Sequence, residues 1–186
     1  MLKKELRATY GQRRERLSHE EVSEASIALA NQLLTLPIWN FDYYHLFLSI
    51  TEKKEVDTEF VMSILQGKDK NIVLPKMSDN QSLLNYLLTD NTVIKKNSWN
   101  VPEPQDGIEV PPLKIDVVFL PLLAFDLQGN RVGYGKGYYD ILLQQCRPNV
   151  IKVGLSLFEA EDRISDINPG DVPLDFCVTP QRIYSF

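Results

Sequence analysis

The run IDVVFLPLLAFD (residues 115–126) is the most apolar in the chain, and it leads straight into GNRVGYGKGYYD (129–140). An apolar run of this length bounded by turn residues reads as a strand buried on both faces. It delivers the chain to three alternate glycines, Gly133, Gly135 and Gly137, and then to YYDILLQQC (138–146), which reads as a helix. A buried strand, a glycine loop and a helix in that order predict a layered α/β fold. Ligands in such folds lie beyond the carboxyl ends of the strands, where this loop would sit.

The rest of the chain agrees. Leu2, Leu6 and Tyr10 recur at helical spacing and predict a helix over 2–16. Ser18 and Glu21 form an S-x-x-E capping box for a second helix. Its stripe is Val22, Ala25, Leu29, Leu33 and Leu36, and Pro37 stops it. A third helix begins near Asp57 or Thr58 and ends near Gly67. Further strands are expected at 44–50, 71–75, 150–157 and 176–180, with 82–88 and 92–96 as an antiparallel pair. Residues 97–114, with several prolines, read as a long surface loop. The expectation is one three-layer α/β/α domain over 1–186 with a mainly parallel central sheet.

Charge and cysteine usage exclude several roles. A net charge of −5 opposes general nucleic-acid binding, which needs a broad basic surface. The apolar runs stop short of membrane-spanning length. Only His19 and His45 are available as histidines, and Cys146 and Cys177 are isolated, so neither zinc nor a disulfide framework is indicated. The charged start MLKKELRATYGQRRER carries no export signal, and two lone cysteines suit a reducing cytoplasm. No G-x-S-x-G elbow or reactive cysteine setting offers a nucleophile.

The glycine loop fits neither common nucleotide pattern. In a Walker A loop the first glycine would fall on Asn130, and Gly137 stands where Ser or Thr is required. The dinucleotide fingerprint needs a different glycine spacing. The physical logic survives without the named motif. Close glycines let backbone N–H groups converge on an anion, and the following helix N-terminus favours negative charge. Arg131 and Lys136 can pair with phosphate oxygens. Asp140 is a carboxylate suited to a divalent cation bridging phosphates. Together they point to a nucleoside triphosphate with Mg²⁺; the alternative is a glycine-rich turn with surface charges.

Other candidates carry two readings each. Residues 3–16 hold Lys3, Lys4, Arg7, Arg13, Arg14 and Arg16 against Glu5 and Glu15. Lys3 and Arg7 share a helix face and could reach phosphates, or the run is a solvated charged face. Asp171 is a second metal-side carboxylate or a turn residue. Glu55 meets a ligand at the sheet edge or starts a helix. Trp99 stacks on a ligand ring or anchors its loop. His45, inside an apolar strand, reads as a core histidine.

The segment FLPLLAFDLQGNRVGYGKGYYD resembles the signature of the 5-formyltetrahydrofolate cyclo-ligases, also called methenyltetrahydrofolate synthetases. KKELR, FLSI followed by EVDT, SWNVPEP and DVPLDFCVTP extend the resemblance over nearly the whole chain. Val132 stands where leucine is usual, Leu122 where glycine is frequent, and the Ser49–Glu55 spacing is longer than in some relatives. The resemblance implies a three-layer α/β enzyme. It would use ATP and Mg²⁺ to convert 5-formyltetrahydrofolate to 5,10-methenyltetrahydrofolate, releasing ADP and phosphate. It assigns ATP contacts to Lys3, Lys4, Arg7, Arg131, Val132, Gly133, Tyr134, Gly135, Lys136, Gly137, Tyr138 and Tyr139. Leu48 and Glu55 would line the folate pocket, bordered by Tyr134, Gly135, Lys136, Gly137 and Tyr138, with Trp99 nearby. Asp140 and Asp171 would serve Mg²⁺.

The implied chemistry phosphorylates the formyl oxygen, after which the N10 amine attacks the activated carbon and phosphate leaves. Lys136 and Arg131 are the expected catalytic side chains, acting by charge stabilisation. The partners expected are small molecules alone, with no nucleic acid or membrane, and the protein is expected to act as a monomer. Two rivals stand beside this reading: an ATP-dependent kinase or ligase for another small molecule, and a non-catalytic nucleotide sensor.

Overall fold

The computed structural model describes residues 1–186. The chain runs α1 (Lys3–Glu15), α2 (His19–Leu33), β1 (Tyr43–His45), α3 (Glu59–Gly67), β2 (Asn71–Met77), β3 (Leu83–Leu87), β4 (Ile94–Lys96), β5 (Pro102–Pro104), β6 (Val117–Pro121), β7 (Ala124–Phe125), β8 (Arg131–Val132), α4 (Tyr138–Gln145), β9 (Ile151–Leu155), β10 (Phe176–Val178) and β11 (Ile183–Ser185). Seven strands form one sheet in the order β11-β10-β9-β6-β1-β2-β3. The inner pairs are parallel, and an antiparallel strand closes each edge, β11 on β10 and β3 on β2. The fold is therefore α/β with a mainly parallel sheet, as expected.

β6 is the middle strand, and its alternation builds the layers. Val117 and Phe119 join the core under α2 and α3, whereas Val118 and Leu120 join the core under α4. Both sets are fully buried, which is why the run reads as unbroken apolar sequence. The α2 start carries the expected box: Ser18 Oγ accepts from the Glu21 N–H at 3.0 Å and Glu21 accepts from the Ser18 N–H at 2.7 Å. Such a cap contributes about 1 kcal/mol. Full burial of Leu29 and Leu33 contributes about 2 kcal/mol each, so packing decides where α2 docks.

Several expected boundaries are corrected. The strand expected over 44–50 ends at His45; further on, Ser49 donates to the Val56 carbonyl at 2.6 Å. The strand expected over 115–126 breaks after Pro121 and resumes as the short β7. Residues 82–88 and 92–96 do not pair with each other: β3 pairs with β2, and β4 pairs with β5. The expected loop 97–114 thus holds a strand, anchored by buried Glu103, which accepts from the Met77 N–H at 3.0 Å and from Asn97 at 3.1 Å. β11 was not anticipated; its three residues carry no pattern of their own and gain order only by pairing with β10.

Gly154 on β9 faces Leu122, Leu174 and Cys177 so closely that an added Cβ would lie 2.7, 2.8 and 3.1 Å from their side chains. Gly154→Ala is expected to destabilise the protein by about 1–3 kcal/mol through overpacking. In urea unfolding, this should lower the midpoint and leave the m-value unchanged.

Candidate active site

The parallel strands end on one edge, and the segments after β1 and β6 meet there. After β6, the β7–β8 hairpin is held by fully buried Asp126, which accepts from the N–H groups of Gln128, Asn130 and Ile164 at 2.9–3.0 Å. The hairpin feeds residues 133–137. Gly135 (φ +90°) and Gly137 (φ +76°) occupy the left-handed region, and Gly137 caps α4. Gly133 differs: its φ is ordinary and an added Cβ would meet nothing within 4 Å. Neither backbone nor packing within the fold requires glycine there, which suits a backbone that a ligand approaches closely.

Helix α1 fastens this loop. Lys3, Leu6, Tyr10 and Arg14 form its buried stripe, so two cations are buried along with the apolar residues. Arg7 Nε donates to the Gly133 carbonyl at 2.8 Å, and its guanidinium lies beneath Gly135, where a Cβ would come within 3.2 Å. The glycine at 135 is therefore also a close-approach residue.

A second network joins four of the expected residues. Lys3 pairs with Asp171, and Arg131 pairs with Asp140 at 2.8 Å while donating to the Val172 carbonyl. The Val172 N–H in turn donates to Asp140 Oδ1 at 3.1 Å. Asp140 and Asp171 thus share one corner. Burial alone would raise the Asp171 carboxyl, but the Lys3 ammonium and the Asn168 N–H outweigh it and hold the group below its ordinary range. No group of three or more His, Cys, Asp or Glu side chains gathers there, so the protein itself forms no metal cage.

The third network crosses from α1 to the segment after β1. Arg14 donates to the Tyr134 hydroxyl at 2.9 Å and to the Leu122 carbonyl at 2.6 Å. Tyr134 donates to Glu55 Oε1 at 2.7 Å, and the Ile50 N–H donates to Glu55 Oε2 at 2.8 Å. A 3-10 turn at Thr51–Lys53 and left-handed Lys54 (φ 47°) fold Glu55 inward, leaving it 5% exposed. Glu55 is thus no surface helix-start carboxylate. Burial raises its pKa, opposed by Ile50, Tyr134, Arg14 and Lys53. Beside it opens a cleft of about 350 Å³ lined by Arg7, Arg14, Lys53, Lys54 and Tyr134.

The remaining expected residues are placed as follows. Trp99, at the tip of the β4–β5 hairpin, is 63% exposed and does not anchor its loop; Lys136 Nζ sits 5.1 Å from its ring centre. Leu48 is half-buried against the main core. Val132 is fully buried, so only its backbone faces the loop. Tyr138 and Tyr139 pack partly into the core. Lys4 is exposed and joins none of the networks. His45 is a core residue, as expected. It bonds Asn85 at 2.9 Å, burial lowers its pKa to about 4, and Tyr139 meets it edge-on. Arg14 and Lys53 were not singled out as site residues. Arg14 continues the Leu6–Tyr10 stripe at i+4, a sign that it turns inward; Lys53 carries no such sign.

The model of the 5-formyltetrahydrofolate cyclo-ligase family matches residues 1–180. The chain is 30% identical to the Escherichia coli K12 5-formyltetrahydrofolate cyclo-ligase, over 94% of this chain and 98% of that one. It is 28% identical to a probable 5-formyltetrahydrofolate cyclo-ligase of Schizosaccharomyces pombe, over 97% of this chain and 96% of that one. The Aquifex aeolicus 5,10-methenyltetrahydrofolate synthetase structure superposes with a TM-score of 0.82 at 30% identity, covering 100% of this chain and 93% of that one. Fold and relatives define an α/β enzyme whose glycine loop lies at the edge where the parallel strands end. The chain belongs to the 5-formyltetrahydrofolate cyclo-ligase family.

The depressed Asp171 pKa makes its pairing pH-dependent. A carboxyl lowered in the folded state contributes stability above its unfolded pKa and loses it as pH falls through the folded value. Asp171→Asn should therefore lower stability by ~1 kcal/mol near neutral pH. The gap from wild type should close in acid below the ordinary aspartate range, as read from melting temperature against pH.

Proposed function

We propose that this enzyme converts 5-formyltetrahydrofolate to 5,10-methenyltetrahydrofolate, with ATP as co-substrate and release of ADP and phosphate. The observation that carries the reading is Gly133. It is a glycine that the fold does not itself need, set beside Arg7, Arg131 and Lys136 in a loop that caps α4. Such a loop offers backbone N–H groups and cations to phosphate oxygens. Relatives bearing the cyclo-ligase name over nearly the full chain support the folate half.

A formyl amide is a poor electrophile, and phosphorylating its oxygen supplies a leaving group. The formyl oxygen attacks the γ-phosphorus and ADP departs; the N10 amine then attacks the formyl carbon, and its proton is lost as phosphate leaves. Arg131 and Lys136 stabilise the phosphoryl charge as it redistributes. Glu55 accepts hydrogen bonds from the folate, with Leu48 and Trp99 lining its rings. No protein nucleophile takes part. The two cysteine thiols suit that: both are buried, with Cys146 pushed up to about 11.

Mg²⁺ fits the Asp140–Asp171 corner as an ion held chiefly by phosphate and water. Each carboxylate already accepts from a cationic side chain and a backbone N–H on a single oxygen, leaving its other oxygen to coordinate an ion. When bound, the ion would neutralise phosphate charge. No helix is long and apolar enough to cross a membrane. Buried free cysteines suit a cytoplasmic enzyme, and the substrates are small molecules met by a monomer.

Mixing the protein with ATP, Mg²⁺ and 5-formyltetrahydrofolate should raise absorbance in the methenyl-folate band, and omitting any component should abolish the rise. Bound ATP without that rise would instead make the protein a nucleotide sensor or an enzyme of another substrate. Lys136 is exposed, so Lys136→Ala should keep the melting temperature while lowering turnover on the order of 10³-fold. Near-normal turnover would remove Lys136 from the chemistry.

A further inference from the structure

We infer that Arg14, through the Tyr134 hydroxyl, is the positioning residue that holds Glu55 as an ionised hydrogen-bond acceptor for the folate. The inference rests on the proposed reaction and names a residue outside the expected site.

The polarity of the bonds dictates it. Arginine can only donate, so the Tyr134 oxygen must accept from Arg14 at 2.9 Å. A phenol has one proton, and the remaining bond, at 2.7 Å, runs to Glu55 Oε1. The Ile50 N–H occupies Oε2 at 2.8 Å. With the Tyr134 proton directed at Glu55, both carboxyl oxygens accept, the arrangement a carboxylate makes most fully. Arg14 is itself committed: it is 4% exposed, and its other bond goes to the Leu122 carbonyl at 2.6 Å. The chain of bonds begins on α1, passes through the glycine loop and ends on the segment after β1. One hydroxyl thus ties the glycine loop to Glu55.

The charge balance runs the same way. Glu55 is almost wholly buried, and burial favours its neutral form. Facing it are Arg14 from α1, Lys53 from the 3-10 turn, Tyr134 from the loop and, from α4, Tyr139, whose phenol is held neutral by burial and by the Glu55 charge. Lys53 lies over the Tyr134 ring at 4.2 Å and is solvated. Arg14 is therefore the one fully desolvated cation in the set, where a charge acts most strongly. Without it, the Tyr134 hydroxyl is free to turn and Glu55 takes up a proton at higher pH.

The test is the pH dependence of kcat/KM for 5-formyltetrahydrofolate in wild type, Arg14→Met, Arg14→Lys and Tyr134→Phe. Loss of an ionised Glu55 as pH falls sets the acid limb. That limb should rise by about one pH unit in Arg14→Met and in Tyr134→Phe, with Arg14→Lys between them and wild type. In Arg14→Met the KM for ATP should stay within about twofold, a split that general loosening of the fold would not give. An active wild type with an unmoved limb in Arg14→Met overturns the inference. If that variant does not fold, unmoved limbs in Arg14→Lys and Tyr134→Phe overturn it. A wild type inactive on 5-formyltetrahydrofolate overturns the proposed reaction, and this inference with it.

Discussion

The structure depends on β6 being buried on both faces. A parallel strand flanked by β9 and β1 and covered above and below has no exit except along its own axis. Its carboxyl end therefore delivers the next residues to the sheet edge, next to the segment that follows β1. The glycine loop and Glu55, which are 78 or more residues apart along the chain, meet there for that reason. Tyr134 and Glu55 are then near enough for one hydrogen bond to join them.

Helix α1 supplies the second constraint. Its apolar contact is small, a cluster built around Leu6, Tyr10, Leu123, Ala124, Val132 and Ile164. Cations do the rest: Lys3 reaches Asp171, Arg7 reaches the Gly133 carbonyl, and Arg14 reaches Tyr134 and Leu122. Exposed ion pairs are worth little, but Lys3 and Arg14 are buried, and these cations end on the Asp171 carboxylate, backbone carbonyls and the Tyr134 hydroxyl. The same positive charges that seat the helix surround the cradle. The helix thus holds both the loop and the cleft through one set of side chains.

Much of the layer architecture was legible. The 115–126 run, the Ser18–Glu21 box and the Leu29–Leu33 stripe each carry a local signal that packing then amplifies. Residues 82–88 and 92–96 do not pair, because adjacency along the chain is a weak guide when a neighbouring edge offers a better partner. β3 has the longer β2 to pair with, and β4 finds β5 across a turn. β5 escaped notice because Pro-Glu-Pro has no strand pattern. It is fixed by buried Glu103, whose bonding partner Met77 lies 26 residues away.

In the site, the glycine loop announced itself because alternate glycines and a following helix are local features. Arg131, Lys136 and Asp140 came with it. Arg14 carried a local sign in its place on the Leu6–Tyr10 stripe, but what each inward cation meets was not local information. Arg14 and Arg7 lie on one charged helix, and only docking distinguishes a buried guanidinium from a solvated one. The sequence alone determined that a buried strand would present a glycine cradle at a sheet edge, since apolar periodicity and glycine spacing are written in neighbouring residues. Tertiary structure alone decided that Arg14, Tyr134 and Glu55 form one chain of hydrogen bonds, because desolvation and donor polarity arise only when distant segments exclude water together.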